Sequence, residues 1–234
     1  HSHCLFERSV VTYGSPVFGG NEGLSMVPGE TDVLLVVDVQ NDFCRGGALE
    51  VPDGDEVVPV INRLASRFAH VVATQDWHPP GHLSFASSHE GKVEFAMADM
   101  PYGLQMLWPD HCIQGTPGAA LHDGLRIGHA ELILRKGFRR EIDSYSAFFE
   151  NDRTTPTGLS GFLRERGMTR CVVCGLALDY CVRYTAEDAA QAGFDVVVVT
   201  DACRAMDPAG ALETALSSFQ YHGILQQESA EFSA

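Results

Sequence analysis

Five short, almost wholly apolar runs punctuate this chain: Val33-Leu34-Leu35-Val36-Val37, Val71-Val72-Ala73-Thr74, Leu132-Ile133-Leu134, Cys171-Val172-Val173-Cys174 and Val196-Val197-Val198-Val199. A continuous apolar run of this length, without polar alternation, suits a strand buried on both faces. Amphipathic stretches separate the later runs, over residues 159–166, 181–192 and 209–221. Another helix opens at Val57-Val58-Pro59-Val60-Ile61, and Leu64 and Phe68 continue its apolar side. Strands alternating with helices make βαβ units, which stack their strands in parallel. The expected fold class is therefore α/β: a doubly wound, mostly parallel sheet with helices on both faces.

A chain of 234 residues with 45% hydrophobic content suits one α/β domain with a substantial core. Residues 1–30 form a polar N-terminal extension without a clear period, and its His1-Ser2-His3 start carries no weight. Residues 31–234 make up the expected domain. The run 79–128 breaks the pattern, being long and rich in Gly, Pro and His; such a loop inside a compact domain is usually functional. Within it, residues 83–107 form an insert with no readable pattern. The net charge of -15 argues against nucleic acid or an anionic membrane as partner, since both repel an acidic surface. No apolar run approaches bilayer length and no secretory h-region opens the chain, so a soluble cytoplasmic protein is expected.

Seven cysteines do not suggest a disulfide scaffold in a chain of this size. Cys171 and Cys174 have redox-motif spacing but lie in a strand-like run, where residues three apart face opposite sides. They read as packing residues. Cys4, Cys44, Cys112 and Cys203 carry no readable role.

Ligands of such sheets bind beyond the carboxyl ends of the strands. Asp38 closes the first run, Asp76 follows the second, Lys136 the third, and Cys181 lies just past the fourth. Asp76-Trp77-His78-Pro79-Pro80-Gly81-His82, with His111 further on, brings one carboxylate and three imidazoles into one region, a donor set for a borderline divalent ion. Asp76 and His78, two apart, face the same side of an extended segment. Ordinary solvated loop side chains are the alternative. Gly175-Leu176-Ala177-Leu178-Asp179-Tyr180-Cys181 forms a strand-to-helix turn that puts Cys181 at a helix start. Unpaired amides there lower a thiol's pKa and can hold an oxyanion. Asp38 is a candidate acceptor for the thiol proton, and Lys136 a candidate partner for that carboxylate. The bland readings are a core cysteine, a turn-capping aspartate and a solvated lysine.

Several segments together resemble the nicotinamidase/pyrazinamidase group of the isochorismatase-like hydrolases. They are Val37-Asp38-Val39-Gln40-Asn41-Asp42-Phe43-Cys44, Asp76-Trp77-His78, Trp108-Pro109-Asp110-His111-Cys112, Gln114-Gly115-Thr116-Pro117-Gly118, Lys136-Gly137 and Asp179-Tyr180-Cys181. The resemblance implies the isochorismatase-like hydrolase fold with a six-stranded parallel sheet. It implies a triad of nucleophile Cys181, general acid/base Asp38 and charge partner Lys136. It makes Asp76, His78, His82 and His111 the metal ligands, with His89 near enough to compete with His82. Phe43 and Trp108 become aromatic walls of the substrate pocket, and Tyr145 a further lining residue. A cis peptide is implied before Ala177, whose amide forms the oxyanion hole with that of Cys181. The implied reaction is hydrolysis of nicotinamide to nicotinate and ammonia. One divalent metal is implied, zinc before iron or manganese. The resemblance leaves a homo-oligomer open.

Three other readings compete. A related hydrolase of the same superfamily would act on a non-pyridine substrate and generally lack the metal ligands. A non-catalytic scaffold of this fold would not need to keep Asp38, Lys136 and Cys181. A zinc hydrolase using metal-bound hydroxide would make Cys181 dispensable.

Overall fold

The computed structural model describes residues 26–233. Its main sheet contains β1 (Asp32–Val37), β2 (His70–Asp76), β5 (Leu132–Lys136), β6 (Arg170–Leu176), β7 (Asp195–Arg204) and β8 (Leu225–Gln227). The spatial order is β5-β2-β1-β6-β7-β8, and every pairing is parallel. The chain winds outward from β1 through β2 to β5, then returns to β6 beside β1 and winds the other way. The reversal between β1 and β6 is the switch point at which doubly wound sheets bind ligands. All six residues of β1 are buried, as a strand covered on both faces requires.

The helices are α1 (Val57–Ala65), α2 (Leu159–Glu165), α3 (Arg183–Gln191) and α4 (Ala211–Tyr221). In α1 the spacing of Val57, Val58, Ile61, Leu64 and Ala65 gives one buried stripe. The α-helix expected to begin at Cys181 instead begins at Arg183, after a π-helical turn over Leu178–Val182. Two features had no readable sequence signal. One is β8, a three-residue edge strand. The other is an antiparallel hairpin inside the insert, β3 (Met97–Met100) paired with β4 (Gly103–Met106) outside the main sheet.

Cys171 and Cys174 both lie in β6 and are fully buried, and burial pushes the Cys171 thiol up to about 12. The six described cysteines are free and buried; Cys4 and His1-Ser2-His3 lie outside the described residues. Among the described residues no helix is long and apolar enough to cross a membrane.

Candidate active site

The carboxyl ends of β1, β2, β5 and β6 bring Asp38, Asp76, Lys136 and Cys181 together. Asp76 and Lys136 are the last residues of their strands and pair directly in register. Asp38 follows β1 with a left-handed backbone (φ 48°), which turns the chain out of the sheet at the switch point.

Lys136 is fully buried, and its ammonium has three hydrogens to place. They go to Ser144 O at 2.7 Å, Asp76 Oδ1 at 3.2 Å and Cys181 Sγ at 3.5 Å. Asp38 Oδ2 lies 2.8 Å from the same Nζ as an ion-pair partner. The other oxygen, Oδ1, accepts from Thr74 Oγ1 at 2.6 Å, and Thr74 Oγ1 accepts from Asp38 N at 3.1 Å. One carboxylate oxygen is therefore fixed, while its neighbour retains acceptor capacity near the thiol.

Burial pushes the Asp38 carboxyl up, and Lys136 offsets only part of that rise. Burial opposes the charge on Lys136 too, but Asp38 and Asp76 outweigh it and hold the ammonium well above its usual range. Cys181 is pushed up by burial, with Lys136 pulling the other way and Asp38 and Asp76 adding to the rise. A helix start alone would lower a thiol's pKa; here desolvation and two carboxylates win.

Cys181 sits in the π-helical turn, where Ala177 O accepts from the amides of both Tyr180 and Val182 at 3.1 Å each. The peptide between Leu176 and Ala177 is cis.

The second cluster joins Asp76, His78 and His111, whose donor atoms all lie within 4.8 Å of one another. His78 Nδ1 faces Gly137 O at 2.8 Å, and His111 Nδ1 faces Pro109 O at 2.7 Å. A carbonyl at Nδ1 fixes the hydrogen there and turns the Nε2 lone pair inward, the arrangement that prepares a histidine for a metal. His78 Nε2 is buried without a hydrogen-bond partner, although Asp76 Oδ2 is only 3.0 Å away. His111 Nε2 lies 3.5 Å from the same oxygen. An orphaned ring nitrogen beside a carboxylate and a second imidazole suits a divalent cation.

Gly137 makes room for this centre. Its φ is +66°, and a Cβ there would come within 2.6 Å of His78 Cε1 and 3.0 Å of Asp76 Oδ1.

The structure does not bring His82 into that donor set. Its ring lies 4.3 Å from that of His78, but Nδ1 is engaged by the Ser84 hydroxyl at 2.8 Å and the Ser84 amide at 3.1 Å. His82 Nε2 faces Ile142 O at 3.3 Å, while His89 Nε2 bonds Leu83 O at 2.7 Å, away from the cluster. His82 is held as a packing neighbour of His78.

Both clusters open on one cavity, whose walls include Phe43, Trp108, Tyr145, Ala177 and Cys181. Trp108 Nε1 donates to Tyr145 Oη at 3.1 Å, and its ring meets Tyr180 edge-on at 5.0 Å. Phe43 packs 5.5 Å from the His111 ring. Tyr180 and Met206 also line the cavity and were not singled out from sequence.

Other contributors were missed because they act through partners distant in sequence. Gln40 grips the backbone of Asp76 from both sides: its Nε2 donates to Asp76 O and its Oε1 accepts from Asp76 N, each at 2.8 Å. Asp42 accepts from Cys112 N at 2.7 Å and fixes the segment after His111. Asp143 Oδ1 approaches His78 Nε2 to 3.8 Å. The only available signal was membership of Gln40 and Asp42 in the quoted motif.

The fold and site thus define a doubly wound α/β protein with a buried thiol–carboxylate–ammonium cluster beside a set of divalent-metal donors. The isochorismatase domain model matches residues 32–231, and the chain belongs to that family. A nicotinamidase from Acinetobacter baylyi is 50% identical over 201 residues, covering 86% of this chain and 94% of the relative. An Acinetobacter baumanii nicotinamidase/pyrazinamidase structure superposes with a TM-score of 0.86 at 50% identity, over 87% of this chain and 98% of that one. An L. infantum structure in complex with nicotinate gives a TM-score of 0.79 at 38% identity, over 90% of this chain and all of that one (100%). The pyrazinamidase of Pyrococcus horikoshii in complex with zinc gives 0.69 at 36% identity, over 85% of this chain and 99% of that one.

Proposed function

We propose that this protein hydrolyses nicotinamide to nicotinate and ammonia through a thioester on Cys181. The observation that carries the proposal is that Cys181 and two of the metal donors, Asp76 and His111, line the same aromatic-walled cavity, with His78 buried directly behind them. Such a cavity offers an acyl-transfer nucleophile on one side and a place for a ring nitrogen on the other. The nicotinamidase relative and the nicotinate-bound neighbour support this substrate class.

Asp38 Oδ2 takes the Cys181 proton as sulfur attacks the carboxamide carbon. Lys136 holds the rearranging charge, being close to both Asp38 and the thiol. The amides of Ala177 and Cys181 receive the oxyanion. Asp38 then protonates the departing ammonia, leaving the thioester. Acting again as base, it activates a water that releases nicotinate.

Phe43, Trp108 and Tyr145 hold the pyridine ring. Asp76, His78 and His111 would hold one divalent ion, with zinc favoured over iron and manganese at equal availability. When bound, that ion supplies a Lewis-acid anchor for the ring nitrogen.

The test is ammonia release from nicotinamide by the wild type and by Cys181→Ala, with metal content measured in both. We expect turnover to vanish in the variant while metal stays. Retained turnover would overturn the thiol mechanism in favour of metal-bound hydroxide.

A further inference from the structure

Asp179 belongs to the Asp179-Tyr180-Cys181 motif, yet it faces away from the reacting groups. It is 1% exposed, two residues before the nucleophile in the π-helical turn. Its carboxylate accepts two backbone hydrogen bonds from the segment after β7: Met206 N at 3.1 Å on Oδ1 and Asp207 N at 2.7 Å on Oδ2. That segment cannot hold its shape by local preference, because Asp207 and Ala209 both have φ of 52°, unfavourable for side-chain-bearing residues. A buried carboxylate with two amide donors is a strong clamp on such a backbone.

Met206 is the side chain this clamp presents to the cavity. It lines the catalytic cavity together with Leu49, and the same two residues also line an outer apolar groove with Pro52, Phe95 and Pro208. Leu49 and Met206 are therefore the partition between the reacting groups and the outside. Leu49 is fixed from its backbone, its N donating to Asp42 O at 3.0 Å. Met206 is half-buried and unbranched, with a thioether that changes shape at little cost. The other walls are stiffer, Trp108 being bonded to Tyr145 and nearly fully buried.

We propose that Met206 is a specificity-determining wall of the substrate cavity and that Asp179 is the positioning residue that sets it, acting on the reaction through Met206. The inference rests on the nicotinamidase reading, since it concerns which pyridine carboxamides that site admits. With Met206 in place, the cavity ends at the partition. With it truncated, the cavity joins the outer groove and gains room for a substituent on the ring.

The experiment measures kcat/KM for nicotinamide and for 4-, 5- and 6-methylnicotinamide with four proteins: wild type, Met206→Ala, Asp179→Asn and the double variant. We expect Met206→Ala to raise the ratio of at least one methylated substrate to nicotinamide by about tenfold, the usual worth of a methyl group's fit in an apolar pocket. Asp179→Asn should move the same ratio in the same direction by raising KM for nicotinamide more than it lowers kcat. In the Met206→Ala background it should add nothing to that ratio. An unchanged ratio in Met206→Ala overturns the proposal, and this variant suffices if Asp179→Asn does not fold. Additive effects in the double variant overturn the positioning role. Absence of nicotinamide turnover in the wild type overturns the functional reading itself, a separate and separately visible result.

Discussion

Lys136 reaches Asp76 as well as Asp38: the ends of β5 and β2 lie in direct register, and Nζ stands 3.2 Å from Asp76 Oδ1. One buried ammonium thus serves the carboxylate beside the thiol and the carboxylate of the metal donor set. The two centres share a charge, and a change at either is felt at the other.

Lys136→Met removes the positive charge from between two buried carboxylates. Breaking a buried ion pair by deleting one partner costs about 3–5 kcal/mol. We expect a loss of that order in urea unfolding, together with a fall in turnover of at least about 100-fold from the disabled acid/base group. Stability within about 1 kcal/mol of wild type would show that the carboxylates escape by protonation or water entry.

Thr74→Val removes the hydroxyl that donates to Asp38 Oδ1. That bond favours the ionised carboxyl, so its loss moves an already raised Asp38 further up. Asp38 must be ionised to take the thiol proton. The acid limb of kcat/KM should therefore move to higher pH, with a stability loss of about 1–3 kcal/mol for the broken buried network. An unmoved acid limb would assign that limb to another group.

Chelation should create a pH dependence of stability. Burial opposes the charge on His78, but the Asp76 carboxylate overrides it and raises the metal-free ring from 6.5 to about 9. A raised folded-state pKa stabilises fully below pH 6.5, and that stabilisation disappears as pH rises through about 9. The metal-free protein should lose at most roughly 3 kcal/mol, or several degrees of Tm, across this window. Thermal scans with and without chelator check this, and the metal-loaded protein should not show the fall.

Gly137→Ala combines a positive φ with a Cβ placed 2.6 Å from the His78 ring. The backbone cost alone is about 1–2 kcal/mol. The larger effect is expected on metal affinity, because the ring must rotate off its bond to Gly137 O. Competition with a chromophoric chelator should show affinity falling by about tenfold or more, as for other losses of ligand orientation. Unchanged affinity would mean that the loop moves instead of the ring.

Much of this molecule was legible because the relevant information is local. The runs that became β1, β2, β6 and β7 are almost wholly apolar, since strands covered on both faces leave few polar positions. The equally apolar run of β5, by contrast, lies at the sheet edge with Ile133 52% exposed. Asp38, Asp76, Lys136 and Cys181 could be grouped because a parallel sheet gathers its strand ends. The rest was illegible for physical reasons. Leu225 of β8 is 56% exposed, so that strand has no burial pattern to read. The hairpin of β3 and β4 buries only Ala98 and Gln105 among its eight positions, too few for a period. That His82 stands apart from the Asp76–His78–His111 donors reflects the Ser84 amide and hydroxyl engaging its Nδ1, which spacing cannot express. The upward shift of Cys181 depends on desolvation by distant residues, so a rule about helix starts gives the wrong sign.

The edge position of β5 has a consequence for how the protein comes into being. The thiol and its proton acceptor sit at the ends of β6 and β1, which adjoin in the interior of the sheet. The ammonium arrives only with β5, the outermost strand on that side. A folding chain with its central strands assembled would therefore bring Asp38 and Asp76 close together without the ammonium that offsets their repulsion. Docking of β5 removes that repulsion and makes the protein competent in one event, so the first turnover of a refolding chain marks the closing of its edge.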